Sequence, residues 1–201
     1  MATPGEFDNA ENQDTLDDYI ATMLHYECPQ DQWELSRMLS LIEGKKSLLE
    51  VGSNFGGTLK RMATKLAPDA LIVSVDYPFD DTPKWLNPVG TLKKNCKQIA
   101  AKGHRVELFI ADSHAADTVA KVKALGPYDF GFIDGDHSYE GVKADWDNYG
   151  PMCKTVGFHD IAGPVEGCTR FWKELRDSGR FGTREFINPQ KKFGIGIVYR
   201  E

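Results

Sequence analysis

The sequence predicts an α/β protein built on a doubly wound, mostly parallel sheet with one antiparallel strand. Short runs of apolar and β-branched residues alternate with segments whose apolar residues recur at helical spacing. Most connections between these runs are too long for hairpins, so the strands that they join run parallel. A short loop joins the last two runs, which predicts one antiparallel strand near the end of the chain.

The predicted strands are short and follow one another from residue 47 onward. Their content of Val, Ile, Leu and Phe is typical of strands that are buried on both faces of a sheet. They cover residues 47–52, 71–76, 106–112, 128–134, 155–158, 184–187 and 194–199.

Helical periodicity fills the segments between these strands. A first helix is predicted after Asp31, which has the spacing of a capping box with Glu34, and Gly44 ends this helix. The apolar residues of the other predicted helices repeat every three or four positions. These helices cover residues 59–66, 89–99, 139–149 and 165–175.

Length and composition favour one globular domain behind an acidic leader. The chain has 201 residues, 41% of them hydrophobic, and a formal charge of -6; a chain of this length buries roughly 70% of its unfolded surface. Nine acidic residues, the last of them Glu34, precede the first basic residue, Arg37. We therefore expect residues 1–30 to form a partly ordered leader and residues 31–201 to form a single domain. The near-neutral remainder argues against a nucleic-acid partner.

No sequence feature predicts secretion or membrane insertion. The chain begins without a charged leader and an apolar signal core, and no apolar run approaches the ~18 residues of a membrane span. Its cysteines, Cys28, Cys96, Cys153 and Cys168, show no CxxC pairing. The expectation is a soluble protein of the reducing cytoplasm without membrane contact.

Acidic residues end every predicted parallel strand. Because ligands bind outside the carboxyl ends of the strands in open sheets of this class, we expect these residues to share one site. Asp112, Ser113 and Asp160 can alternatively cap the helices that follow them. The strand ends carry Glu50 with Gly52, Asp76, Asp112 with Ser113, Asp134 with Asp136 and His137, and His159 with Asp160.

The turn after the first strand, residues 50–58, is rich in glycine, which lets a backbone approach a ligand closely. Asn54 occupies the second glycine position of a dinucleotide fingerprint, and the GK[ST] of a P-loop is absent. These departures leave a nucleoside-sized ligand as the expectation. Asp76 is placed to accept both ribose hydroxyls, and Asp112 is placed to accept an exocyclic amine of the base.

Two motifs make the chain resemble a known enzyme family. The first is Glu50-x-Gly52-Ser53-x-x-Gly56-Gly57, and the second and more specific one is Phe-Ile-Asp-Gly-Asp-His-Ser-Tyr-Glu-Gly-Val over residues 132–142. Together with His159-Asp160-Ile161 and residues 194–198, they are similar to class I S-adenosylmethionine-dependent methyltransferases. The similarity is greatest to the small O-methyltransferase family related to macrolide-sugar and cephamycin-cluster enzymes, from about Gln32 to the C-terminus.

The resemblance implies a seven-stranded sheet, S-adenosylmethionine as cofactor, and methyl transfer to a hydroxyl of a small molecule such as a sugar, a phenol or a secondary metabolite. It also implies a Mg²⁺ ion that orients the acceptor and lowers its pKa. The implied catalytic residues are His137, as general base, and Asp134. The implied cofactor-binding residues are Glu50, Gly52, Ser53, Gly56, Asp76, Asp112, Ser113 and Asp134, and the implied metal ligands are Asp134, Asp160 and His159.

Alternatives stay open for several of these residues. His137 can ligate the metal or simply begin a helix, and Asp136 can replace Asp160 as a ligand. Asp76 also suits an NAD(P)-dependent oxidoreductase on the same kind of sheet.

The chain departs from the family pattern just before His159. Relatives carry Lys-Pro-Gly-Gly and several apolar residues there, whereas Lys154-Thr155-Val156-Gly157-Phe158 leads directly into His159. We therefore predict a shortened fifth strand, which favours a cofactor-binding module that has lost catalysis. The short N-terminal region leaves the acceptor pocket either open or completed by a second subunit of a homo-oligomer, with Trp85 and His114 as further lining candidates.

Overall fold

The computed structural model describes residues 30–77, 87–191 and 193–200, so the predicted leader and Trp85 lie outside the described residues. The strands are β1 (Ser47–Val51), β2 (Leu71–Asp76), β3 (Arg105–Ile110), β4 (Phe130–Ile133), β5 (Thr155–His159), β6 (Gly182–Phe186) and β7 (Ile195–Tyr199). The helices are α1 (Gln32–Ile42), α2 (Gly57–Ala63), α3 (Pro88–Ala100), α4 (Ala116–Leu125), α5 (Tyr139–Tyr149) and α6 (Glu166–Asp177). None of these helices combines the length and apolar character needed to cross a bilayer.

The strands form one seven-stranded sheet in the order β3-β2-β1-β4-β5-β7-β6. Strands β1 to β5 pair in parallel, and β7 runs antiparallel to both of its neighbours, β5 and β6. The predicted sheet, with its single antiparallel strand, is therefore confirmed. The strand order reverses between β1 and β4, and this switch point is where sheets of this class bind ligands.

Helices cover both faces of the sheet. Since neighbouring residues of one strand point to opposite faces, each strand contributes side chains to two separate cores. Leu48 packs in the core beneath α1, α2 and α3, whereas Leu49 packs in the core beneath α4, α5 and α6. Trp146 and Tyr149 of α5 lie in this second core. The carboxyl ends of the parallel strands emerge between the two helical layers and position the site described below.

The predicted capping box of α1 forms only in part. Asp31 caps the helix, since its side chain accepts the N–H groups of Trp33 and Glu34. The Glu34 side chain does not close the box; it is fully buried and accepts the N–H groups of Asn188, at 2.8 Å, and Gly194, at 3.1 Å. Glu34 therefore ties α1 to residues 188–194, the loop before β7.

Two elements differ from the sequence expectation. Apolar periodicity does not predict α4, because Thr118 and Val122 are its only buried residues among those described. The fifth strand, predicted to be shortened, is as long as β1: β5 has five residues, and it is hydrogen-bonded to β4 on one side and β7 on the other. The sheet therefore delivers His159 and Asp160 to the same edge as the other strand ends.

Candidate active site

A cavity of about 470 Å³ lies at the carboxyl ends of the parallel strands. That volume is within the usual range of small-molecule sites. Of the residues predicted to share this site, Glu50 and Gly56 do not line the cavity. Those that do are Gly52, Ser53, Asp76, Asp112, Ser113, Asp134, Asp136, His137, His159 and Asp160, joined by His114.

The turn after β1 brings two strand ends unusually close together. Gly52 has a φ of +85°, and a Cβ built on it would lie 2.0 Å from the backbone oxygen of Asp134. The backbone hydrogen bonds on either side, from Gly52 N to Val75 O and from Asp134 N to Val51 O, hold this approach in place. Glycine is required here by both the backbone conformation and the lack of space.

We expect Gly52→Ala to destabilise the fold more than a glycine replacement that costs conformation alone. The new methyl group must displace the Asp134 backbone, at about 1–3 kcal/mol for overpacking, in addition to about 1–2 kcal/mol for the left-handed backbone. Gly44→Ala is the matched control, because Gly44 has a φ of +73° and nothing within 4 Å of its built Cβ. Denaturant unfolding measures both variants, and equal losses of stability would contradict the packing argument.

Asp76, at the end of β2, lies at one end of the cavity, where a backbone hydrogen bond fixes its carboxylate. Its Oδ2 accepts the backbone N–H of Asn54 at 2.5 Å. Burial raises the pKa of Asp76, and the backbone hydrogen bonds from Asn54 and Ser53 lower it in part. Asn54, which departs from the dinucleotide fingerprint, takes a left-handed backbone with a φ of 48°. The residue in the second glycine position therefore serves to orient Asp76.

Glu50, in β1, is buried and does not line the cavity. Burial raises the pKa of its carboxyl well above the usual range, and the charges of Asp134 and Asp76 add to this effect. A direct contact with a cofactor remains a prediction for Glu50. The neighbouring hydroxyls of Ser53 and Ser74 share a hydrogen bond of 2.7 Å.

The loop after β3 is held by α5 rather than by its own helix. Asp112 and Ser113 do not cap α4, whose N-cap is Ala115; instead, Asp112 Oδ1 accepts the N–H of His114 at 2.8 Å. The hydroxyl of Tyr149 donates to the Ser113 backbone oxygen at 2.6 Å. Both Asp112 and Ser113 line the cavity.

Asp145 is a second support of this loop that sequence reasoning missed. Its Oδ1 lies 3.2 Å from His114 Nε2, and its side chain is fully buried. Burial raises the pKa of Asp145 to about 6, although Ser113 and His114 both favour the charged form. The sequence does contain a feature that could have identified Asp145: it is a carboxylate on the otherwise apolar helix face that carries Val142, Trp146 and Tyr149.

Two carboxylates and two imidazoles converge at the other end of the cavity. Asp134 Oδ1 lies 3.3 Å from His137 Nε2 and 3.2 Å from His159 Nδ1. Asp160 completes the group, with its Oδ2 3.4 Å from His137 Nδ1 and its Oδ1 3.3 Å from His159 Nδ1. The residues predicted as base and metal ligands therefore form one cluster, which we call the Asp–His cluster: Asp134, His137, His159 and Asp160.

Charges within the Asp–His cluster compensate one another. Burial raises the pKa of Asp134, but His159 and His137 outweigh it and hold the pKa at about 2. Burial lowers the pKa of His159, but Asp134 and Asp160 raise it to about 10. The hydrogen bond to Asp134 raises the pKa of His137. The two imidazoles thus lie against two carboxylates, whose charge a bound cation could offset in their place.

The backbone supports Asp160 rather than Asp136 as the second acidic member. Asp160 is a non-glycine residue with a φ of 57°, and it is not the cap of α6, which begins after Val165. Such a conformation is costly and is typically kept at functional sites. Asp136 instead accepts the N–H of Ser138 at 2.8 Å and turns toward the start of α5.

The Asp–His cluster has a donor set that suits a divalent cation. One ligand atom from each of Asp134, His137 and Asp160 lies within 4.8 Å of the others. Carboxylate oxygens suit Mg²⁺ and Mn²⁺, and imidazole nitrogen broadens the choice toward softer divalent ions. His159 was also predicted as a metal ligand. In the structure, its Nδ1 forms ion pairs with the carboxylates of both Asp134 and Asp160.

Two further residues border the Asp–His cluster, and neither was predicted. Phe193 is 41% exposed, lines the cavity, and has its ring nearly parallel to that of His159, with the centroids 6.4 Å apart. Its backbone oxygen accepts the N–H of Ala162 at 2.7 Å. Gln30 donates from Nε2 to Asp134 Oδ2 at 2.6 Å. Both residues lie in segments without a recognisable motif.

The central part of the chain, residues 49–161, matches a family model described as a methyltransferase domain. The O-methyltransferase from Bacillus cereus in complex with SAH has a similar fold, with a TM-score of 0.63, 15% identity, and coverage of 93% of this chain and 91% of that chain. The O-methyltransferase TomG from Streptomyces achromogenes, involved in tomaymycin synthesis and in complex with SAM, is similar with a TM-score of 0.63 and 15% identity; the match covers 92% of this chain and 96% of that chain. Cofactor-bound Rv0187 from MTB is similar with a TM-score of 0.67 and 15% identity; the match covers 95% of this chain and 97% of that chain. No curated protein sequence matches the chain.

Proposed function

Because this chain belongs to the methyltransferase-domain family, we propose that it is an S-adenosylmethionine-dependent O-methyltransferase that acts with the help of a divalent metal ion, with Mg²⁺ as the proposed ion. Its acceptor is a hydroxyl group of a small molecule such as a sugar, a phenol or a secondary metabolite. The observation that carries the proposal is the Asp–His cluster at one end of a cavity whose other end is lined by Asp76 and Asp112.

The nucleoside end of the cavity fits S-adenosylmethionine. Asp76 offers a buried carboxylate for the ribose hydroxyls, and Asp112 offers an exposed carboxylate for the exocyclic amine of the base. Gly52 and Ser53 line the cavity after β1, between the strand ends that carry Asp76 and Asp134, where the methionine part would lie. A cationic sulfonium also suits a cavity with this many carboxylates.

Methyl transfer needs alignment and a place for one proton. The acceptor oxygen attacks the methyl carbon in line with the bond to sulfur; the new C–O bond forms as the C–S bond breaks, and S-adenosylhomocysteine leaves. His137 receives the hydroxyl proton, and the carboxylates of Asp134 and Asp160 on either side of its ring stabilise the resulting imidazolium. When bound by Asp134 and Asp160, a divalent cation would lower the pKa of the acceptor hydroxyl and keep His137 neutral beforehand.

Phe193 provides an apolar wall on the acceptor side. Its position is set through the next residue, because Gly194 donates its N–H to the buried carboxylate of Glu34. A half-exposed ring fixed in this way suits the flat, apolar side of a phenol or a sugar.

The cysteines agree with the location that we propose, the cytoplasm. Cys96, Cys153 and Cys168 are all free and buried in the part of the chain that the structure describes. Free thiols are the usual state in a reducing compartment.

A methyl-transfer assay tests the proposal. The purified protein is incubated with S-adenosylmethionine and a panel of catechol, 3,4-dihydroxybenzoate and methyl α-glucoside, and S-adenosylhomocysteine is measured with and without EDTA. We expect acceptor-dependent product that EDTA abolishes and Mg²⁺ or Mn²⁺ restores. Product that resists EDTA would contradict the metal, and oxidation of an acceptor with NAD(P)⁺ in place of methylation would contradict the reaction.

A further inference from the structure

The geometry points to Gln30 as a positioning residue that fixes the carboxylate of Asp134 for metal binding. This inference rests on the metal-assisted function proposed above and adds to it a cavity-lining residue that acts through Asp134. It concerns a side chain 104 positions away in sequence from the carboxylate that it contacts.

Gln30 is held at both ends of its amide. Nε2 donates to Asp134 Oδ2 at 2.6 Å, and Oε1 accepts the hydroxyl of Thr58, in the first turn of α2. Gln30 and Thr58 are each only 5% exposed. The amide therefore bridges α2 and the end of β4, and its orientation is fixed because only its nitrogen can donate to a carboxylate.

This bridge divides the two oxygens of Asp134 between different tasks. Oδ2 is taken by Gln30, whereas Oδ1 faces His137 and His159 at 3.3 and 3.2 Å. A carboxylate with one oxygen held cannot rotate freely, so the other oxygen stays directed into the Asp–His cluster. Partners of this kind fix the orientation of metal ligands in proteins generally.

The chemistry of the amide suits this role better than a charged side chain would. Lys or Arg in its place would neutralise Asp134 and compete with a cation for it, and Glu would repel it. An amide donates one hydrogen bond and leaves the negative charge for the metal.

Holding the N-terminal segment in place does not depend on Gln30. Asp31 caps α1, and Asn188 Nδ2 lies 3.3 Å from both carboxylate oxygens of Asp31. Glu34 adds two further hydrogen bonds to the loop before β7. A change at Gln30 that removes only the hydrogen bonds of its side-chain amide should therefore leave α1 in place.

Gln30→Met tests the inference, because Met keeps the length and bulk of Gln and removes the hydrogen bonds. Gln98→Met is the matched control, since Gln98 is exposed on α3 and contacts Lys60. Mn²⁺ binding and S-adenosylhomocysteine binding are each measured by calorimetry, together with the unfolding midpoint of the metal-free protein. Because loss of such a supporting contact typically costs about 10–100-fold in metal affinity, we expect that loss for Gln30→Met. Its nucleoside affinity and midpoint should match those of Gln98→Met.

Three outcomes would overturn the inference. Unchanged Mn²⁺ affinity in a folded Gln30→Met protein would show that Asp134 needs no such support, and a parallel loss of nucleoside affinity would show a merely structural role. Wild-type protein that binds S-adenosylhomocysteine but not Mn²⁺ would overturn it together with the metal, while leaving the methyltransferase function intact. If Gln30→Met does not fold, Gln30→Asn, whose amide is too short to reach both partners, is measured with the same criteria.

Discussion

Asp134→Asn is expected to abolish metal-dependent turnover while the protein stays folded. The substitution keeps the shape of the side chain but removes the charge that both imidazoles of the Asp–His cluster face. Stabilisation by a bound cation contributes several kcal/mol, and each 1.36 kcal/mol is tenfold in rate, so the loss should be on the order of 10²–10⁴-fold. Turnover is measured under saturating S-adenosylmethionine, with Mn²⁺ binding measured in parallel.

Asp136→Asn is the control for this prediction. Asp136 lines the same cavity two residues further on, but its carboxylate accepts the N–H of Ser138. We expect that variant to keep metal dependence and most of its rate, since the carboxylate of Asp136 contacts a backbone N–H and not the Asp–His cluster. Wild-type turnover and Mn²⁺ affinity in Asp134→Asn would remove Asp134 as a ligand.

His137→Gln should slow the chemical step without weakening the cofactor. General-base catalysis typically contributes about 10²–10⁴-fold, and glutamine keeps a polar side chain of similar length without accepting a proton. His137 contacts Asp134 and Asp160, whereas Asp76 is held by the backbone of Asn54, so nucleoside affinity should not change. Single-turnover formation of methylated acceptor separates the chemical step from binding.

His114→Gln is the complementary control, because His114 lines the same cavity but pairs with Asp145 and donates its backbone N–H to Asp112, outside the Asp–His cluster. Its substitution should weaken nucleoside binding and leave the single-turnover rate of the saturated enzyme unchanged. A wild-type single-turnover rate in His137→Gln would show that the proton goes elsewhere.

Sequence patterns predicted the sheet and much of the candidate site for one physical reason. The carboxyl ends of parallel strands meet at one edge, so Asp76, Asp112 and Asp134 share a cavity although they lie far apart in the chain. The same reason applies to Asp160, which follows β5. The segment that leads into His159 departs from the family pattern, but β5 still pairs with β4 and β7.

The residues that sequence reasoning missed lie outside that logic. Gln30 precedes α1, and Phe193 precedes β7, so neither ends a parallel strand. Their places depend on tertiary contacts: the bridge from Thr58 to Asp134 for Gln30, and Glu34 for the loop that carries Phe193. Local spacing of Asp31 and Glu34 predicts a capping box, and only the folded chain shows that Glu34 is used elsewhere.

The most direct test of the central claim is thermal unfolding of the protein with S-adenosylmethionine, S-adenosylhomocysteine or NAD⁺, each with and without Mg²⁺. A ligand at ~100 times its Kd adds about 2.7 kcal/mol, which for a domain of this size raises the midpoint by roughly 5–10 °C. We predict that rise with either sulfur nucleoside, no rise with NAD⁺, and a much smaller rise in Asp76→Ala. A rise with NAD⁺ alone, or none with S-adenosylhomocysteine at saturation, would contradict the assignment of the cavity to S-adenosylmethionine.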